Sequence, residues 1–285
     1  MSSRLTGLSS IASNYKGVLS DIWGVVHNGV AHNKEAVQAL AKFRADHGPV
    51  ILITNAPRPN GPILEQLDNL GVPRECYDAL VTSGDVSRDA IERIGGKRVY
   101  HLGPERDISL YEGLSVELVK QSDAEVICCT GLWNDATETP DDYDDMLKDF
   151  AKRKLPFICA NPDLVVDKGG KMIYCAGALA ERFAAYGGEP IMVGKPCGPI
   201  YDASLSELTK ANGGEVNRDE ILIIGDSLPT DMRGAHHQKL DAIFITAGIH
   251  AADFGPSDAP DTERVQHRLD HEDVQAVGFM PSLAW

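Results

Sequence analysis

The chain has 285 residues, 43% of them hydrophobic and 24% charged, a balance that excludes wholesale disorder and fibrous architectures. That length accommodates one large α/β domain or two modest ones, each able to bury a core. Forty-two acidic against twenty-seven basic residues give a formal charge of −15, which repels nucleic acid and anionic membrane surfaces, so any bound phosphate needs a local site.

In chain order, MSSRLTGLSSIASNYKG has no continuous apolar core of signal-peptide length, and no later window approaches a membrane span; a cytoplasmic protein is expected. Short β-branched runs then alternate with helically spaced segments: GVLSDI before KEAVQALAKFRADHG, PVILITN before GPILEQLDNLG, and DALVTSG before VSRDAIERIGG. Such alternation is the sequence form of βαβ units and predicts a largely parallel sheet covered by helices. A middle block follows with its own strands, KRVYHLG, DAEVICCTG and LPFICAN, and helices around Asp142 to Lys152 and Gly177 to Tyr186. Its acidic stretch TETPDDYDDMLKD reads better as a helix start than as a metal site, since a threonine cap, a proline and carboxylates all favour the positive end of a helix dipole. The βαβ pattern returns in PIMVGKP, EVNRDEILIIGD and KLDAIFITAG, so both ends of the chain are expected in one doubly wound, Rossmann-like α/β core. The predicted division is a core of residues 1–88 and 188–285 with an inserted α/β domain at 89–187.

Six cysteines, Cys76, Cys128, Cys129, Cys159, Cys175 and Cys197, show no CxxC spacing and several lie in apolar runs. They read as buried thiols of a reducing compartment, not as disulfides or zinc ligands.

In open parallel sheets, ligands bind beyond the carboxyl ends of the strands. The core runs end in Asp21, in Thr54-Asn55, in Lys195-Pro196 after Val193-Gly194, and in Asp226 after Ile224-Gly225. Singly, each is an ordinary helix cap or turn. Together they bring carboxylates, a hydroxyl, an amide and an ammonium to one sheet edge, which is what metal-assisted attack on a phosphoryl group requires.

These segments resemble the four motifs of the haloacid dehalogenase (HAD) hydrolases: Asp21-Ile22-Trp23-Gly24-Val25, Thr54-Asn55, Lys195-Pro196, and Gly225-Asp226-Ser227-Leu228-Pro229-Thr230-Asp231. The similarity is greatest to subfamily IIA, the NagD-like and phosphoglycolate or pyridoxal phosphatase-like members, whose C2-type α/β cap is inserted between the second and third motifs. It runs from about Tyr15 to the C-terminus. The resemblance implies a phosphoric monoester hydrolase acting on a small phosphorylated metabolite, with Asp21 as nucleophile forming an aspartyl-phosphate. It implies Mg²⁺ on Asp21, Asp226 and the carbonyl of Trp23, with Asp231 in support. Thr54, Asn55 and Lys195 are implied to hold the phosphoryl oxygens, and Asn161 and Asp163 are the candidate cap contacts to substrate. Hard oxygen ligands suit Mg²⁺ on chemical grounds as well. The substrate and the oligomeric state, monomer or homo-oligomer, are not legible.

One position departs from the pattern. Family phosphatases carry a second aspartate two residues after the nucleophile, where it protonates the leaving group; here that residue is Trp23. A general acid contributes about 10²- to 10⁴-fold, so a catalytically impaired protein that only binds a phosphorylated ligand is the rival expectation. His27 is read either as a substitute proton carrier or as an ordinary loop histidine. His267 and His271 have zinc-pair spacing but no third ligand, and a solvated helix face is expected.

Overall fold

The structure, a computed structural model, describes residues 2–168 and 171–285. The chain forms two compact units. Met1–Thr54, Leu64–Val81 and Tyr201–Trp285 make the first, and Asn55–Ile63 and Thr82–Ile200 make the second.

A seven-stranded sheet contains β1 (Ser3–Arg4), β2 (Gly17–Asp21), β3 (Val50–Thr54), β4 (Ala79–Thr82), β12 (Ile221–Gly225), β13 (Asp241–Ile245) and β14 (Gly278–Met280). Their order across the sheet is β1-β14-β13-β12-β2-β3-β4, and the pairings of β2 with β3 and β12, and of β13 with β12 and β14, are parallel. Every residue of β2, β3 and β12 is buried, which is why these strands read as continuous apolar runs and not as alternating ones. The helices α1 (Lys34–Asp46), α2 (Asn60–Asn69), α6 (Gly198–Asn212), α7 (Arg233–Gln238) and α8 (Thr262–His271) connect or follow the strands. Helix α1 starts where the Asn33 side chain accepts the backbone N–H groups of Glu35 and Ala36, and it buries Ala36, Val37, Leu40 and Phe43 on one face.

The second unit holds β5 (Arg98–Leu102), β6 (Glu117–Leu118), β7 (Val126–Cys129), β8 (Phe157–Cys159) and β11 (Pro190–Met192) in a parallel sheet of order β11-β8-β7-β5-β6. A separate antiparallel hairpin is formed by β9 (Val165–Lys168) and β10 (Lys171–Tyr174). Helices α3 (Ser83–Ile94), α4 (Asp144–Arg153) and α5 (Ala176–Ala185) complete it. Its core gathers Leu147, Phe150, Phe157, Leu179 and Phe183, with the rings of Phe157 and Phe183 stacked at 4.6 Å.

The acidic stretch is a helix start. Thr139 and Asp142 form a reciprocal capping box around Pro140, and α4 follows. One expectation is corrected: PIMVGKP forms a strand, but β11 pairs with β8 in the second sheet instead of joining the first. Periodicity reports that a run is extended and cannot say which sheet receives it. The hairpin does not stand out in the sequence, because Val165–Lys168 and Lys171–Tyr174 alternate too weakly with polar residues. The six cysteines are free, five of them buried, and burial pushes the Cys128 and Cys76 thiols up to about 12. His267 and His271 lie exposed on α8. Among the described residues, no helix is long and apolar enough to cross a membrane.

Candidate active site

The register of the first sheet aligns the strand ends. Asp21 on β2 lies level with Ile53 on β3, and Ser20 lies level with Ile224 on β12. Thr54 and Asp226 therefore each stand about one residue beyond Asp21, at the carboxyl edge, where adjacent parallel strands release their chains. Asp231 returns to the same place on a π-helical turn, Leu228–Met232, with its carboxylate accepting the Ser227 N–H at 3.2 Å.

Asp21, Asp226 and Asp231 are all buried, and each offers a carboxylate oxygen within 4.8 Å of the others'. Among the described residues this is the one set of three or more acidic, histidine or cysteine side chains grouped so closely. Like charges held this near one another in a buried site are stabilised by positive charge placed beside them. Three hard oxygen donors fit a small divalent cation. The fit extends to the surroundings. Asp226 Oδ2 accepts the Ile249 N–H at 2.9 Å, and a Cβ at either Gly24, whose φ is +83°, or Gly248 would run into the same carboxylate. The loop after β13 thus fixes Asp226, a contribution absent from the motif reading.

Trp23 is half-buried in the irregular segment after β2, packed over Gly29 and edge-on to His27. His27 is 4% exposed; its Nδ1 accepts the Gly29 N–H at 3.0 Å, and burial pushes its pKa down to about 4. The imidazole is therefore neutral near pH 7 and has no readily transferred proton, which favours the reading of His27 as a structural loop histidine. His250 supports the fourth motif, its Nε2 accepting the Leu228 N–H at 3.3 Å. Burial holds this ring below the usual histidine range, consistent with an accepting nitrogen.

In the second unit, Asn55, Lys195 and Asp163 form one network. Asn55 Oδ1 accepts the Lys195 N–H at 2.7 Å, while Asn55 Nδ2 donates to the Lys195 carbonyl at 3.1 Å and to Asp163 Oδ1 at 3.0 Å. Lys195 is 3% exposed, and its peptide bond to Pro196 is cis. Gly194 has no room for a side chain, because Asn55, Ser83 and Pro162 converge on it. Asn161 lies in the same turn, its Oδ1 accepting the Asp163 N–H at 3.1 Å. The structure thus gathers Asp21, Asp226 and Asp231 in one unit and Asn55, Lys195 and Asp163 in the other. Thr54 ends β3 immediately before Asn55.

A doubly wound α/β sheet with buried carboxylates at its carboxyl edge puts them where open parallel sheets bind their ligands. Residues 18–117 match the family model for haloacid dehalogenase-like hydrolases, and residues 192–271 match a second HAD-hydrolase-like model. The structure of a haloacid dehalogenase-like hydrolase from Brucella suis 1330 is 40% identical, covers 100% of both chains and superposes with a TM-score of 0.87. The chain belongs to the haloacid dehalogenase-like hydrolase family, in its NagD-like subfamily IIA. The ribonucleotide monophosphatase NagD of Escherichia coli K12 is 29% identical over 251 residues, covering 84% of this chain and 90% of that protein. The 5'-nucleotidase YutF of Bacillus subtilis 168 is 22% identical over 268 residues, covering 90% and 95%.

Proposed function

We propose that the chain is a Mg²⁺-dependent phosphoric monoester hydrolase acting on a small phosphorylated metabolite through an aspartyl-phosphate on Asp21. The observation that carries this reading is the buried grouping of Asp21, Asp226 and Asp231 at the carboxyl edge of the parallel sheet. NagD and YutF, named for action on nucleotides, support nucleotide or sugar phosphates as the substrate class. The inserted α/β block expected at 89–187, with Pro190–Met192 added because it pairs in the second sheet, serves as the cap domain of the subfamily. Six free cysteines suit a reducing, cytoplasmic setting.

In this reading Asp21 and Asp226, with the Trp23 carbonyl, would hold Mg²⁺, and Asp231 would support them. The cation, when bound, neutralises phosphoryl oxygen charge. Asp21 attacks phosphorus and the P–O bond to the leaving group breaks; water then attacks the aspartyl-phosphate and restores the carboxylate. Thr54, the Asn55 backbone N–H and the Lys195 ammonium stabilise the phosphoryl oxygens. Both side-chain N–H groups of Asn55 are already engaged. Trp23 supplies no proton, so esters with good leaving groups are the favoured substrates.

The indole at position 23 and the neutral His27 also favour a second reading, a phosphate-binding protein of low turnover. Phosphate release from p-nitrophenyl phosphate and a panel of nucleotide and sugar phosphates, with Mg²⁺ and with chelator, separates the two. Mg²⁺-dependent release supports the hydrolase. Binding of inorganic phosphate without release from any ester supports the binding protein.

A further inference from the structure

We infer that Asp163 is a positioning residue that fixes Lys195 by way of the Asn55 side chain. This rests on the proposed role of Lys195 at the phosphoryl group. Asn55 is 4% exposed, and a carboxamide offers two N–H donors and one acceptor oxygen. Its oxygen receives the Lys195 N–H at 2.7 Å, one N–H goes to the Lys195 carbonyl at 3.1 Å, and the other to Asp163 Oδ1 at 3.0 Å. The orientation of the amide follows from these partners. A flipped Asn55 would set its NH₂ against the Lys195 N–H and its oxygen against two acceptors, losing all three bonds. The side chain therefore grips both backbone polar groups of Lys195, and among the described residues Asp163 is the partner of the amide that lies outside the lysine.

Asp163 is well placed for that duty because its turn is fixed. Its N–H donates to Asn161 Oδ1 at 3.1 Å, and the Gly177 N–H at the start of α5 bonds both the Asn161 carbonyl, at 2.8 Å, and the Asp163 carbonyl, at 3.2 Å. A Cβ at Gly177 would strike the Pro162 and Asp163 carbonyls, so only glycine lets α5 close on this turn. Remove the Asp163 carboxylate and a buried amide N–H loses its partner, leaving the amide free to turn and the lysine backbone held less firmly. The turn Asn161-Pro162-Asp163 then helps to hold Lys195 in place, beside the substrate contacts that the resemblance implies for Asn161 and Asp163. The effect should be common to every ester, since all share the phosphoryl group that Lys195 faces.

The test uses D163A, D163N, N55A and the double variant D163A/N55A of the full chain. Turnover is measured with p-nitrophenyl phosphate and an alkyl phosphate in Mg²⁺, and hydrogen exchange is followed at the Lys195 amide. D163A should lower kcat about tenfold, a factor consistent with losing one charge-assisted hydrogen bond, and by the same factor for both esters. D163N, which keeps an acceptor oxygen, should recover most of that loss. D163A should add nothing in the N55A background, and Lys195 amide exchange should quicken in D163A and in N55A. Additive losses, a loss confined to the KM of one ester, or unchanged Lys195 exchange in D163A would each overturn the relay. If the native chain hydrolyses no ester, the proposed function fails, and the exchange measurement still decides the relay on its own.

Discussion

The indole of Trp23 and the imidazole of His27 meet edge-on with ring centroids 5.2 Å apart, so a bulky aromatic pair occupies the segment in which family phosphatases carry their proton donor. Neither ring supplies a transferable proton near pH 7, and protonation of the leaving oxygen matters most when that oxygen is strongly basic. The native chain should hydrolyse aryl phosphates about 10²-fold or more faster than alkyl phosphates. Trp23→Asp should narrow that gap by accelerating the alkyl esters. The measurement is the rate across a series of esters of graded leaving-group pKa, with a thermal melt to confirm folding, since the change opens space above Gly29. A flat series in the native chain, with chemistry rate-limiting, would contradict the assignment.

Asp226 receives the Ile249 N–H and is walled by Gly24 and Gly248, which fixes its carboxylate facing Asp21. Asp226→Ala should weaken Mg²⁺ binding at least about tenfold, one coordination partner being lost. Calorimetry checks this directly, and equal affinity in the two proteins would remove Asp226 from the cation site.

Phe157 and Phe183 stack at 4.6 Å and are buried to within 1%. Phe183→Ala should destabilise the chain by about 3–5 kcal/mol through lost burial and an unfilled cavity. Urea unfolding followed by far-UV circular dichroism gives the value; a loss under about 1 kcal/mol would mean that the core refills around the gap.

Arg182 donates to the Asp144 carboxylate at 2.7 Å and, with help from Tyr186, holds its pKa down to about 2. A carboxyl depressed in the folded state adds stability above its unfolded pKa near 3.9 and loses it as pH falls toward the folded value. Asp144→Asn should therefore lower the melting temperature slightly at pH 7, the pair being solvent-accessible. The difference from the native chain should shrink as pH falls below about 4. Melting curves from pH 7 to pH 3 test both the sign and the window.

Much of this was written in local sequence. The apolar runs at Gly17–Asp21, Val50–Thr54 and Ile221–Gly225 announced buried parallel strands because both faces of each are covered. The polar residues that end them announced the carboxylate cluster, since parallel strands all release their chains at one edge. What local sequence could not carry were contacts made at long range. Asn55 meets Asp163 across 108 residues and Lys195 across 140, and Asp226 meets Ile249 across 23; no spacing rule encodes such pairs. The placement of Pro190–Met192 beside β8 was hidden for the same reason, because a three-residue strand carries no record of its partner.

Asp21, at the end of β2 and grouped with Asp226 and Asp231, is the proposed nucleophile. The most direct test of that role is turnover of p-nitrophenyl phosphate by purified Asp21→Asn in Mg²⁺, beside the native chain, with acid-quenched protein assayed for covalently bound phosphate. Asp21→Asn should melt like the native chain and show no turnover above background, with covalently bound phosphate on the native chain alone. Turnover by Asp21→Asn at a rate near the native one would contradict that role.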